Sequence, residues 1–110
     1  MAYDEELANR VREIVGGERG LAEKRMFGGL AMLLGGHMSV VIRGKGGLMV
    51  RVADADLAAA LAESGTKEAV MRGSVMRGWV VVEAKSVDDD ADLRRWVTRG
   101  VSAARALPPN

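Results

Sequence analysis

Residues 24–52 read KRMFGGLAMLLGGHMSVVIRGKGGLMVRV, and this stretch decides the fold. Helical periodicity is missing from it. Instead, short apolar runs are punctuated by glycine: Arg25-Met26-Phe27, Leu30 to Leu34, Met38 to Ile42 and Leu48 to Val52. Runs of this kind point to strands, and the pattern predicts three of them in a meander. Gly35-Gly36 separates two runs at the two-residue spacing that favours a tight hairpin with positive φ. Arg43-Gly44-Lys45-Gly46-Gly47 reads as the next turn, longer and looser. Gly28-Gly29 falls inside the first run, where two missing side chains imply a bulge, a bend or the close approach of another backbone.

Upstream, Leu7, Val11, Ile14 and Val15 recur at helical spacing, with Glu6, Arg10, Arg12 and Glu13 on the other side. Asp4 suits the N-cap, and Gly16-Gly17 suits a stop in the left-handed conformation. Downstream, Asp54 is placed to cap a short helix with Leu57, Ala58 and Leu61 on its apolar face, ended by Ser64-Gly65. Two more strands follow, a weak one at Lys67 to Met71 and a central one at Trp79 to Glu83, which is dense in β-branched and aromatic residues. In the last helix Asp88, Asp89 and Asp90 supply a cap and favourable charge at the positive end of the dipole. Leu93, Trp96, Val97, Gly100, Val101 and Ala104 share its inner face, Arg94, Arg95, Arg99 and Arg105 fall opposite, and Pro108-Pro109 closes the chain. The order αβββαββα gives an α+β, two-layer sandwich: an antiparallel sheet of about five strands with helices on one face. Residues 1–110 form a single domain on this reading.

Composition narrows the chemistry. Sixteen Lys and Arg balance fifteen Asp and Glu, so no global field demands nucleic acid or an acidic membrane. With no cysteine, disulfides, thiolate catalysis and Cys-ligated metals are excluded. Met1 to Arg12 lacks a basic-then-apolar signal pattern, and Leu30 to Leu34 is far too short to cross a bilayer, so a soluble cytoplasmic protein is expected. Nothing matches the phosphate loop or the dinucleotide fingerprint. His37 is the sole histidine, and the Asp88 to Asp90 cluster does not converge as a hard-cation site requires. No catalytic set, cofactor or metal is expected.

The stretches Glu23 to Ala31, Gly36-His37-Met38, Leu48 to Val52 and Met76 to Val80, with the final helix carrying Trp96, resemble the TfoX/Sxy N-terminal domain family in the same order. The resemblance spans roughly Tyr3 to Pro108. It implies a sandwich similar to secretion-chaperone-like folds, and a stand-alone N-terminal domain lacking the C-terminal domain of longer members. It further implies a regulatory role linked to transcription or competence.

Three functions compete. The first is a non-enzymatic interaction domain with a protein partner or as a homodimer, through a sheet edge or a methionine-rich surface. The second is direct nucleic-acid binding by the Arg-rich face of the last helix. The third is a small-molecule binder or enzyme with a pocket between sheet and helices collecting Lys24, Arg51, Glu83 and His37. Candidate interaction residues are Lys24, Arg25, Arg72, Arg77, Arg94, Arg95 and Arg99. Lys24-Arg25, Arg43 with Lys45, and Arg72 with Arg77 sit beside glycines, where a cation and exposed N–H groups suit a phosphate or carboxylate. The alternative for these charges is that they are solvated and protect the sheet edges. The methionines are assigned chiefly to the core between sheet and helices, as flexible filler.

Overall fold

The structure is a computed structural model that describes residues 2–26 and 28–108. Helix α1 (Glu5–Val15) leads into strands β1 (Leu21–Met26), β2 (Gly29–Leu34), β3 (His37–Ile42) and β4 (Leu48–Arg51). Helix α2 (Asp54–Leu61), strands β5 (Thr66–Met71) and β6 (Ser74–Val82), a short 3-10 turn (Ala84–Val87) and helix α3 (Asp90–Arg105) complete it. All pairings are antiparallel, in the order β1-β2-β3-β4-β6-β5. The α+β class and the layering match the expectation.

The strand count does not. The first run is a full strand, β1, separate from β2, so six strands replace five and the order becomes αββββαββα. Gly28, at φ +72°, belongs to the turn between them, while Phe27 lies outside the described residues. Gly29 opens β2 where a Cβ would collide with the Ile42 carbonyl, so of the three readings for this pair, close backbone approach is the one realised there. Gly35 and Gly36, at φ +58° and +89°, make the expected two-residue hairpin.

Asp4 caps α1 by accepting from the Leu7 N–H at 3.1 Å, but Gly16 ends the helix at φ −58°, not in the left-handed region. Ala53 is the N-cap residue of α2, Asp54 is its first helical residue, and the buried alanine is Ala60 rather than Ala58. Asp89 caps α3 through the Ala91 N–H at 2.7 Å, a contact of the kind that stabilises a helix by about 1 kcal/mol.

The helices share one face of the sheet. Val11 and Val15, then Leu93, Trp96 and Val97, pack on Leu30, Met32, Val40, Ile42, Leu48, Val50, Val80 and Val82, closing a solid core. Gly100 lets α3 approach β3 closely, since a Cβ there would lie 2.7 Å from the Ser39 carbonyl. Ser39 itself is fully buried at the irregularity between β2 and β3, and its hydroxyl donates to the Met32 carbonyl at 3.0 Å. No helix among the described residues is long and apolar enough to cross a membrane.

Candidate interaction face and hairpin cavity

Both edges of the sheet carry an adjacent acid and base. Because neighbouring residues of a strand point to opposite faces, Glu23-Lys24 at one edge and Lys67-Glu68 at the other send acid and base apart. On the helix side, the register runs Glu23–Met32–Val40–Val50–Val80–Glu68 across all six strands. The next row, on the side away from the helices, runs Lys24–Ala31–Val41–Met49–Val81–Lys67. That row is an apolar strip with a lysine at each end. Arg51 lies one row on, opposite Trp79, with its guanidinium 4.6 Å from the ring centre and its Nε donating to the Met38 carbonyl at 2.7 Å. Burial pulls the Arg51 guanidinium below its ordinary value.

Among the described residues no helix packs on this strip, yet Ala31, Val41, Met49 and Val81 are buried. The β5–β6 hairpin helps to cover them. Glu68 pairs with Val80 but Val70 pairs with Val75, so β6 carries surplus residues around Gly78, at φ +87°. An irregularity of this kind bends a hairpin sharply. A flat β5 would carry Arg72 roughly 20 Å along the strand from Thr66, whose end of the sheet also holds the Arg43–Gly47 turn. Arg72 instead lines one cavity of about 530 Å³ together with Gly28, Arg43, Gly44 and Lys45. Val41, Met49, Ala69, Val70, Met71 and Val81 supply its apolar wall. A recess of about 360 Å³ adjoins it, shares Arg43, Lys45 and Val81, and adds Lys67 and Glu83. On the hairpin's other side a notch of about 290 Å³ is lined by Leu57, Leu61, Val75, Met76 and Arg77.

The structure sorts the candidate cations. Arg95 and Arg99 both close on Glu63, at 2.8 and 2.9 Å, and Arg99 stacks on Trp96 with its guanidinium 4.5 Å from the ring centre. Desolvation alone pushes the Glu63 carboxyl up, but hydrogen bonds from Arg99 and Arg95 reverse this and hold it below its ordinary value. The hydrogen bond to Glu63 raises Arg95 in turn. Arg105 is spent on Glu18 and the Arg19 carbonyl, Arg12 on Glu23 and Arg10 on Asp90. Of the arginine face on α3, Arg94 alone has no carboxylate within 4.0 Å among the described residues. Arg77 stands 3.9 Å from Asp54. Arg25 is exposed on the helix-side row, opposite Leu30, and Lys24 ends the strip on the other face.

Two of the three cation–glycine pairs therefore contribute to one place, Arg43 with Lys45 and then Arg72, while Lys24-Arg25 and Arg77 stay outside it. The pocket expected between sheet and helices is filled by the core. His37 donates from Nε2 to the Pro108 carbonyl at 2.6 Å, far along the chain from Glu83 at the opposite end of the sheet, so that set does not assemble. Of the methionines, Met32 joins the helix-side core, whereas Met26, Met38, Met49 and Met76 pack with the other face. Lys67 was not among the candidates, and Arg51 was one only for the pocket between sheet and helices; the adjacent Lys67-Glu68 pair on an edge strand was the available signal.

Against this geometry, residues 13–104 match the family model described as TfoX N-terminal domain. The chain belongs to that family. No curated protein and no solved structure matches it. In this TfoX N-terminal domain the bent β5–β6 hairpin carries both the cavity and the notch.

Proposed function

We propose that this chain is a non-enzymatic regulatory domain of the TfoX/Sxy type that acts in the cytoplasm by holding a protein partner. The carrying observation is Val75, 54% exposed, which lines a notch floored by Leu57 and Leu61, with its cross-strand partner Val70, 60% exposed, beside it on the bent hairpin. An apolar side chain of this exposure at an apolar notch is what a docking surface needs. Met76 adds a flexible, adaptable wall. The partner chemistry that fits is a protein presenting one bulky apolar side chain to the notch, with the Arg77–Asp54 pair at the rim.

Two observations support a non-enzymatic reading. The carboxyls displaced from their ordinary values, Glu23 and Glu63, are held by surface arginines in structural pairs. The sole histidine anchors the Pro108 carbonyl. Family membership supports a link to transcription control, the setting that the TfoX/Sxy resemblance implies. The nucleic-acid alternative loses ground because Arg95 and Arg99 are committed to Glu63.

The test is capture of tagged chain from host lysate, with nuclease, comparing the parent with Val75→Asp and Arg94→Gln. A protein retained by the parent and Arg94→Gln but lost from Val75→Asp supports the reading. Retention that nuclease abolishes, or that Arg94→Gln removes, refutes it in favour of nucleic acid. A concentration-dependent dimer broken by Val75→Asp would assign the valines to a second copy instead.

A further inference from the structure

We infer that the cavity beside the bent hairpin is a binding site for a small amphipathic anion, a molecule with an apolar body and a carboxylate, sulfonate or phosphate head. This goes beyond the docking of a protein and uses a different recess beside the hairpin, whose lining shares Val70 with the docking pair but not Val75. The cavity's volume of about 530 Å³ lies within the range in which proteins hold small organic ligands. Its apolar wall is ready-made: Val41, Met49 and Val81 are buried members of the sheet face that no helix covers, and Met71 is the flexible residue beside them. An apolar wall alone selects no ligand. The rim does.

Arg43, Lys45 and Arg72 line this cavity, and none of them has a carboxylate within 4.0 Å among the described residues. Five arginines of the helix layer, by contrast, each have one. Among the described residues no Asp or Glu lines the cavity; Glu83 belongs to the adjoining recess and is turned to Lys85 at 3.6 Å. Three cations gathered without a counter-charge repel one another, and an anion among them converts that repulsion into charge-assisted hydrogen bonding. Arg43 is already oriented, with one Nη1–H given to the Gly46 carbonyl and no other side-chain donation to the described residues. A cation is repelled by such a rim, and a neutral polar ligand gains hydrogen bonds from it without the charge neutralisation.

The backbone adds an independent sign. Arg72 takes φ +53°, the only non-glycine residue with positive φ among those described. Asparagine or glycine would fit this hairpin corner more comfortably. Backbone strain of this kind clusters at ligand clamps, and here it holds a guanidinium at the cavity's rim.

The test uses 8-anilinonaphthalene-1-sulfonate, an apolar body with one anionic head, titrated by fluorescence into the folded chain at neutral pH and low salt. Saturable binding at one site, displaced by decanoate and at least about tenfold less well by decanol, is expected. Arg72→Asn and Arg43→Gln should each weaken it about tenfold, while Arg94→Gln and Val75→Asp leave it unchanged. Methyl NMR gives a second readout: decanoate should shift Val41, Met49 and Val81, not Leu57 or Val75. Absence of binding, equal displacement by decanol, or insensitivity to both arginine variants would overturn the assignment. So would shifts confined to the notch. Co-sedimentation with phosphatidylglycerol vesicles, without displacement by free decanoate, would move the anionic head from a soluble ligand to a membrane surface and overturn it as well. Because the notch variant Val75→Asp is a control here, failure of this site and failure of the partner reading give different results.

Discussion

Replacing Arg72 by asparagine should make the protein more stable. Both central residues of the β5–β6 turn, Arg72 and Gly73, have positive φ, at +53° and +80°. A side chain with a Cβ costs about 1–2 kcal/mol in the left-handed region, where Cβ crowds the following carbonyl. Asparagine pays less, because its short amide hydrogen-bonds locally, and Asn-Gly is the favoured pair for this type of hairpin. Arg72 is exposed and makes no ion pair among the described residues, so little is lost from the folded state. A net gain of about 0.5–1 kcal/mol follows, which for a domain of this size raises the melting temperature by about 2–6 °C. Thermal unfolding followed by circular dichroism, repeated as a urea titration at constant m, measures it. The reasoning fails if Arg72→Asn melts at or below the parent, since that would mean the guanidinium stabilises the hairpin more than the corner strains it. The same variant is also expected to lose the anionic probe, and a protein that is more stable yet binds less well cannot owe the loss to misfolding.

The other predictions concern the seams that hold the two layers together. Gly100→Ala should destabilise by about 1–2 kcal/mol in urea, because the overpacking against the Ser39 carbonyl and Val40 exceeds the roughly 1 kcal/mol that alanine returns in helix propensity. Ser39→Ala should cost about 1 kcal/mol by removing the buried hydroxyl's bond to the Met32 carbonyl. Glu63→Gln should cost no more than about 1 kcal/mol, the two arginine pairs being partly exposed and screened. The Glu63 carboxyl is held below its ordinary value in the folded chain, so its contribution is present above the unfolded pKa and lost as pH falls through the folded one. Acid titration of stability should therefore steepen in the parent relative to Glu63→Gln.

Where local physics settles an element, the sequence announces it. Period and caps placed α1 and α3, and the Gly35-Gly36 spacing placed a hairpin. Strand β1 escaped because LAEKRM is an edge strand, exposed through most of its length, and so lacks the alternation that one buried face imposes. The pairing of the helix-face arginines was hidden for a different reason. Glu63, which neutralises Arg95 and Arg99, lies more than thirty residues away on the segment after α2, and no local pattern connects them. The cavity has the same origin. Its cations come from two turns, Arg43 to Lys45 and Arg72, that are neighbours only because β6 holds extra residues near Gly78 and bends the hairpin back. The glycines beside those cations were legible as a class of site; their convergence is a property of sheet order and of one irregular pairing. A change that straightens the hairpin should therefore separate Arg72 from Arg43 while leaving each of them in its own unaltered turn.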